Sequence, residues 1–147
     1  MTSNTPLLSV RDLRIDIKTL DGVLKAVRGV DLDIHPGRTL GLVGESGCGK
    51  SLTSKAILGI NPPNCQASGS IQFNASNGSW DLLALKPGAQ EIRAIRGRRI
   101  SMIFQEPMTA FSPLYTIGNQ ISEILLLHVT KDKAQARAMA IDILGRV

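Results

Sequence analysis

The sequence predicts a mixed α/β fold with an antiparallel β subdomain at its amino end, and three observations carry that prediction. A glycine-spaced run, Gly44-Glu45-Ser46-Gly47-Cys48-Gly49-Lys50-Ser51, stands between a short apolar stretch and a segment with apolar positions at helical spacing. Ahead of it, residues 8–34 mix apolar and charged side chains in partial alternation around an Asp21-Gly22 hairpin signal. Behind it a second apolar stretch, Ile100 to Phe104, ends on Gln105 in the manner of a buried strand.

The amino end begins with Leu8 to Lys18, where Val10, Leu13, Ile15 and Ile17 alternate in part with Arg11, Arg14 and Asp16, as a half-exposed strand would. Val23–Val27 is expected to return as a second strand and Val30–Ile34 as a third. His35-Pro36-Gly37 then turns the chain into Leu40–Val43, a run suited to a buried parallel strand. His35 could be a ligand, but nothing nearby completes a metal site, and a turn histidine is the simpler reading. Leu52, Ala56 and Ile57 mark the helix after the glycines.

Residues 61–68 read as punctuation, Ser70–Phe73 as a short strand, Asn74–Ser79 as a polar loop and Trp80–Leu85 as another short element. Pro87-Gly88 opens a short helix carrying Ala89, Ile92 and Ile95, and Arg98–Gln105 reads as the second buried strand. Thr116 can cap a helix with Ile117, Ile121, Ile124 and Leu125 on one face. Thr130 is expected to cap a last helix with Ala136, Ala140, Ile143 and Val147 on one stripe. There is no internal repeat and no low-complexity tract.

The glycine run has the phosphate-loop pattern, Gly, four residues, then Gly-Lys-Ser. Glycines at 44, 47 and 49 let the backbone wrap an anion, and a helix beginning near Gly49 adds the positive end of its dipole. Lys50 would reach the β- and γ-phosphates of a nucleoside triphosphate, and the Ser51 hydroxyl would join the shell of a Mg²⁺ ion. The bland alternative is a Gly-rich turn with a surface lysine; the strand expected before it and the helix expected after it argue against that.

Composition narrows the remaining classes. The 147 residues are one domain by size, 43% hydrophobic and 20% charged. No apolar run nears the roughly 18–20 residues that span a bilayer, and Met1–Pro6 lacks the features of a signal peptide. Two cysteines, Cys48 and Cys65, form no disulfide framework, and a reducing cytoplasm is expected. The net charge is +5, densest at Arg93, Arg96, Arg98 and Arg99. Aromatic residues, 3% of the chain, do not interleave with that cluster, so no single-strand nucleic-acid platform is expected. The arginines are read as a solvated face, with a phosphate- or partner-facing patch as the alternative.

With these residues in view, the chain resembles the ATP-binding subunits of ABC transporters, most closely those of the oligopeptide, dipeptide and nickel importers. Residues 44–51 are that group's Walker A form, and Ile100–Ala110 its glutamine-loop segment. Gly69–Phe73, Ile95-Arg96-Gly97 and the Ser112–Gly118 turn are similar as well. The resemblance implies a P-loop NTPase of the ABC nucleotide-binding type with ATP and Mg²⁺ as cofactors. It implies phosphate contacts from Gly44, Glu45, Ser46, Gly47, Cys48, Gly49, Lys50, Ser51 and Thr53, metal contacts from Ser51 and Gln105, and catalytic roles for Lys50 and Gln105. Glu106 is read as structural. The implied segmentation of a single partial domain over 1–147 is antiparallel strands 7–35, a phosphate-loop βα unit 38–60, strand to glutamine loop 98–116, and the start of a helical subdomain 117–147.

The implied partners are membrane subunits, through a coupling helix near the glutamine loop, a second ATP-binding subunit as homo- or heterodimer, and indirectly a solute-binding protein; no nucleic acid is among them. The implied place is the inner face of the cell membrane, bound peripherally from the cytoplasm. Two departures from the family pattern stand out. Residues 8–30 hold no aromatic ring to stack on adenine, and Ile17 or a neighbour stands there instead. The residues to Val147 also include no signature motif, Walker B pair or switch histidine; Met139–Asp142 and His128 are poor substitutes. The expected fold is therefore incomplete at the carboxyl end, with apolar surface and strand edges exposed. The expected function is ATP binding, with hydrolysis in the complete subunit, to drive peptide import. A truncated, non-catalytic nucleotide-binding module is the alternative, and a small P-loop kinase fits the amino-terminal strands badly.

Overall fold

β1 (Leu8–Thr19) is the strand on which the amino-terminal sheet is built. The structure is a computed structural model that describes residues 5–106 and 111–146, and its chain divides into two units, Met1–Arg93 and Ala94–Val147. In the first unit β1 pairs antiparallel on one side with β2 (Gly22–Ile34) and on the other with β3 (Cys65–Ala75). A short β4 (Gly78–Asp81) completes the order β2-β1-β3-β4. Being central, β1 has both edges paired, and its Leu8, Val10, Leu13 and Ile15 are buried.

The alternation of β1 breaks once, and the break has a structural cause. Val10 pairs with Leu32, but Leu13 pairs with Val30, and on the other side Arg11 faces Ser70 while Arg14 faces Ser68. The extra residues form a bulge at Asp12, whose φ is 45°. The bulge returns Leu13 and Ile15 to the buried face, where strict alternation from Val10 would have put Asp12. Opposite it stands Gly69 with φ 105°, and a Cβ there would lie 2.5 Å from the Asp12 carbonyl oxygen, so only glycine fits without displacement. Ion pairs line the exposed side of the bulge, Arg11–Asp33 at 2.8 Å and Arg14–Asp12 at 2.7 Å.

Several expected elements differ. The separate strands expected at 23–27 and 30–34 are one strand, β2, because Gly29, with φ 90°, takes up one extra residue there (Leu13 pairs with Val30 and Arg14 with Arg28) and the ladder to β1 continues. The third antiparallel strand is β3, so the sheet is not confined to residues 7–35. β3 is longer than Ser70–Phe73 and starts at Cys65, within the stretch read as punctuation. The polar loop expected at 74–79 shrinks to a tight turn between Ala75 and Gly78. The short element read at Trp80–Leu85 is reduced to β4, and Asp81 fastens it: its carboxylate accepts from Ile71 N at 3.2 Å, Leu83 N at 3.1 Å and Ser70 Oγ at 3.1 Å.

α1 (Lys50–Leu58) lies against β1 and buries Thr53, Ala56 and Leu58. Gly59, with φ 61°, ends it, its N–H donating to the Ala56 carbonyl. The larger correction concerns the two stretches expected as buried parallel strands. Residues 38–45 and 101–104 carry no strand structure, and Val43 and Ile103 are 94% and 98% exposed. A parallel strand needs a neighbour supplied by a distant part of the chain, and among the described residues the only pairing at either stretch is an isolated bridge between Arg96 and Ile100.

A short helix, α2 (Gln90–Ile95), follows β4. In the second unit α3 (Ile117–His128) and α4 (Lys133–Leu144) pack on each other through Leu125, Ala136 and Ala140, with Ile121, Leu126 and Met139 around them. Thr116 caps α3 as expected, accepting from Asn119 N at 3.3 Å. The buried stripe is narrower than expected, since Ile117 and Ile124 are exposed. α4 is capped by Asp132, not Thr130: Asp132 Oδ1 accepts from Ala134 N at 2.8 Å, while Thr130 Oγ1 accepts from Asp132 N at 3.1 Å. Aspartate two residues later offers a charged acceptor to the helix dipole, which a hydroxyl does not. Of the expected α4 stripe Ile143 is exposed, and Val147 lies outside the described residues.

Candidate phosphate-binding site

The loop from Gly44 to Gly49 leads directly into the first turn of α1. Gly49 is the N-cap, with φ 94° and ψ 0°, a left-handed conformation that an L side chain rarely adopts. Space closes the position further, because a Cβ on Gly49 would lie 2.9 Å from Val27 Cγ2 and 3.1 Å from the Ala26 carbonyl oxygen. Glycine thus lets the loop rest directly on β2. The cap has no side-chain acceptor, so among the described residues no side-chain cap satisfies the N–H groups that open α1. Such groups, at the positive end of the helix, suit an anion.

Lys50 folds back over the loop. Its ammonium donates to the Glu45 carbonyl at 2.6 Å and to the Gly44 carbonyl at 2.8 Å, with Cys48 Sγ at 3.4 Å. The charge is therefore held over the hollow of the loop by weakly basic carbonyls, contacts that a phosphate group could replace with stronger ones. Cys48, read from sequence as a small filler, is exposed and supplies the third of these contacts. No spacing rule would have indicated it.

The remaining candidate residues divide. Glu45, Ser46 and Ser51 are exposed; Ser51 is the second residue of α1 and offers a hard oxygen of the type Mg²⁺ takes. Thr53 is turned inward: it is buried, and both its N–H (2.9 Å) and its hydroxyl (3.0 Å) donate to the Gly49 carbonyl. In this arrangement Thr53 braces the cap of α1 rather than facing the loop's open side. Gln105 belongs to the second unit, where it is exposed in a bend, and Pro107–Ala110 after it lie outside the described residues. Among the described residues no group of three or more His, Cys, Asp or Glu side chains is placed to hold a metal.

One polar residue of the second unit carried no signal in sequence. Gln120, on α3, fastens the Ser112–Tyr115 turn: its Oε1 accepts from Ser112 N at 2.9 Å, and its Nε2 donates to the carbonyls of Ser112 at 3.0 Å and Tyr115 at 2.9 Å. Of the arginine cluster, Arg93, Arg98 and Arg99 are exposed and Arg96 is half-buried, beside a Gly97 whose N–H donates to the Ile100 carbonyl.

The family model described as ABC transporter matches residues 27–145. The dipeptide transport ATP-binding protein DppD of Bacillus subtilis (strain 168) is 44% identical over 143 residues, 96% of this chain and 41% of the relative. The oligopeptide transport ATP-binding protein OppD of Escherichia coli (strain K12) is 40% identical over 141 residues, 96% of this chain and 40% of the relative. The peptidoglycan transport ATP-binding protein YejF of Agrobacterium fabrum (strain C58 / ATCC 33970) is 44% identical over 148 residues, 99% of this chain and 26% of the relative. The chain spans about two fifths of the length of the DppD and OppD relatives it matches.

Proposed function

We propose, for a chain that belongs to the ABC transporter family, that it is the phosphate-holding portion of an ATP-binding subunit that energises import of peptides or related small solutes. The observation that carries this reading is the Lys50 ammonium, held over the loop by the carbonyls of Gly44 and Glu45 at the uncapped start of α1. In this reading residues 44–51 hold the phosphates of ATP, Ser51 provides an oxygen for Mg²⁺, and Thr53 supports the cap from beneath. Gln105 contributes to the metal shell and transmits nucleotide occupancy toward a membrane subunit. Bound Mg²⁺ would neutralise phosphate charge; the chain's own part is to bind and orient the triphosphate.

The relatives named for dipeptide and oligopeptide transport support peptides as the solute class. The partners in this reading are membrane subunits, a second ATP-binding subunit and, indirectly, a solute-binding protein. The chain would act at the inner face of the membrane as a peripheral component. Among the described residues no helix is long and apolar enough to cross a membrane.

The test is equilibrium binding of a fluorescent ATP analogue to the 147-residue chain, with and without magnesium. Lys50→Ala should weaken binding on the order of 10- to 100-fold, the range of a lost hydrogen bond to a charged group. Ser51→Ala should remove mainly the magnesium-dependent part. Equal binding by wild type and Lys50→Ala would sink the reading. A second reading, a nucleotide-binding module without turnover, is favoured by residues 38–45, which approach the loop without a ladder to brace them. Phosphate release from ATP that Lys50→Ala abolishes would remove it.

A further inference from the structure

α3 and α4 form an αα-hairpin that is packed on one side only. Residues 129–132 reverse the chain between them, and Leu125 of α3 is buried with Ala136 and Ala140 of α4. Three buried residues are a small core for two helices, and a second stripe on each helix lies open beside it. Glu123, Leu126 and Leu127 of α3 and Arg137, Ile141 and Leu144 of α4 line one groove of about 710 Å³. Within each helix these positions recur at spacings of three and four, or their sum, so they share a face. Leu127, Ile141 and Leu144 are exposed and Leu126 is half-buried. An apolar stripe of this kind is ordinarily covered by another layer, yet among the described residues α3 and α4 pack chiefly on each other.

We propose that this face is a self-association surface, on which a second copy of the chain lays the same two helices to complete a four-helix bundle. Charge identifies the occupant. Glu123 stands on one wall of the groove and Arg137 on the other, and among the described residues neither forms an ion pair. The helices run antiparallel with Leu125 against Ala136 and Ala140, which puts Glu123 and Arg137 within about one turn of the same level. A two-fold axis along the groove sets α3 of one copy over α4 of the other, so Glu123 of each copy faces the partner's Arg137. Every neighbouring pair of helices is then antiparallel, as in simple up-down bundles. An anionic amphiphile would meet Glu123 as well as Arg137, whereas a second copy matches both signs. Size sets the strength. Each helix has 12 residues, about 18 Å of length, and two side by side are roughly 20 Å wide. Two such faces bury on the order of 1,000 Å² together, the lower limit for a specific interface, so a dissociation constant of roughly 10–100 μM is expected. The face contains none of residues 44–51, and the proposal does not rest on the phosphate-binding reading.

The experiment is sedimentation equilibrium of the 147-residue chain without nucleotide, from about 1 to 300 μM, a range that spans the expected constant. The mass should rise from that of one chain to that of two and stop there. Ile141→Asp puts a charge in the apolar stripe at an exposed position and should weaken association at least about 10-fold. Glu123→Arg and Arg137→Glu should each weaken it by roughly 10- to 100-fold, because each sets like charges opposite one another twice per dimer. Joined in one chain, the two reversals restore opposite signs and should return the constant to within about threefold of wild type. Both positions are exposed, so the exchange decides the matter if Ile141→Asp loses the wild-type circular dichroism spectrum. Lys50→Ala, outside the face, should associate as wild type does whatever its affinity for ATP. A mass that stays that of one chain throughout overturns the proposal, as does a dimer that Ile141→Asp and both single reversals leave intact. Growth beyond two copies would mean an open-ended contact and overturns it too. An acyl chain retained by a monomer in native mass spectrometry would assign the groove to a lipid instead.

Discussion

In the amino-terminal sheet Val10, Leu13 and Ile15 are fully buried, whereas in the two stretches outside it Val43 and Ile103 are almost fully exposed. The residue types are alike; what differs is the origin of the neighbouring strand. β1 finds β2 across a two-residue turn and β3 after one helix, so local chain reversal supplies both partners. Residues 38–45 and 101–104 have no strand beside them among the described residues, and Leu40, Leu42, Val43, Ile103 and Phe104 are exposed. An apolar run is therefore buried only where a partner is at hand, and hydrophobicity alone does not decide its fate.

Cavity-forming substitutions should widen that contrast most. Leu13 lies directly after the bulge, buried between β2 and β3, and Leu13→Ala should lower stability by about 2–5 kcal/mol. Val43→Ser, in the exposed stretch, should change it by less than about 0.5 kcal/mol. Urea titrations followed by circular dichroism would compare the two directly. Equal losses would mean that the stretch at 38–45 is packed in solution, and the comparison would break. Next in size comes the bulge itself. Gly69→Ala must place a Cβ against the Asp12 carbonyl at a positive φ, and a loss of about 1–3 kcal/mol is expected in the same titration. A neutral result would show that β3 can shift away from β1 at low cost.

The second unit offers a smaller, local version of the same test. Gln120→Ala removes three hydrogen bonds from the Ser112–Tyr115 turn, two of them reaching half-buried positions. Hydrogen exchange at the Ser112 amide should accelerate, while the α3–α4 core at Leu125 and Ala140 keeps its protection, because that packing does not involve Gln120. Equal acceleration in both places would show that the turn and the helix pair open together.

What could be foreseen from sequence follows the reach of the signals. The phosphate loop was legible because its chemistry is local: Gly49, Lys50 and α1 are consecutive, and their spacing is the motif. The Thr116 cap was legible for the same reason. The bulge at Asp12 was visible only as an irregular alternation, since its cause, the approach of Gly69, lies 57 residues away. At residues 40–43 the exposed apolar surface was expected but the loss of the strand itself was not, because an apolar run announces that it can be buried, not what would bury it. Thr53 illustrates the limit at the site: helical position alone did not show that its hydroxyl is spent on the Gly49 carbonyl.

The smallest effect expected is one of charge, on the exposed side of the sheet. Arg11 donates to Asp33 at 2.8 Å, holds that carboxyl below its ordinary value of 3.8, and is itself raised by the same contact. A carboxyl depressed in the folded state favours folding above its unfolded value, and the contribution disappears as pH falls through the folded one. The arginine stays charged throughout, so only the aspartate reports. Stability of the wild type should therefore fall slightly more than that of Asp33→Asn between pH 5 and the acid side of 3.8. Arg11 is exposed and Asp33 half-buried, so moderate salt should shrink the difference. A difference that persists in high salt would mean that the Arg11–Asp33 pair acts through the ladder it spans, β1 against β2, and not as a screened surface pair.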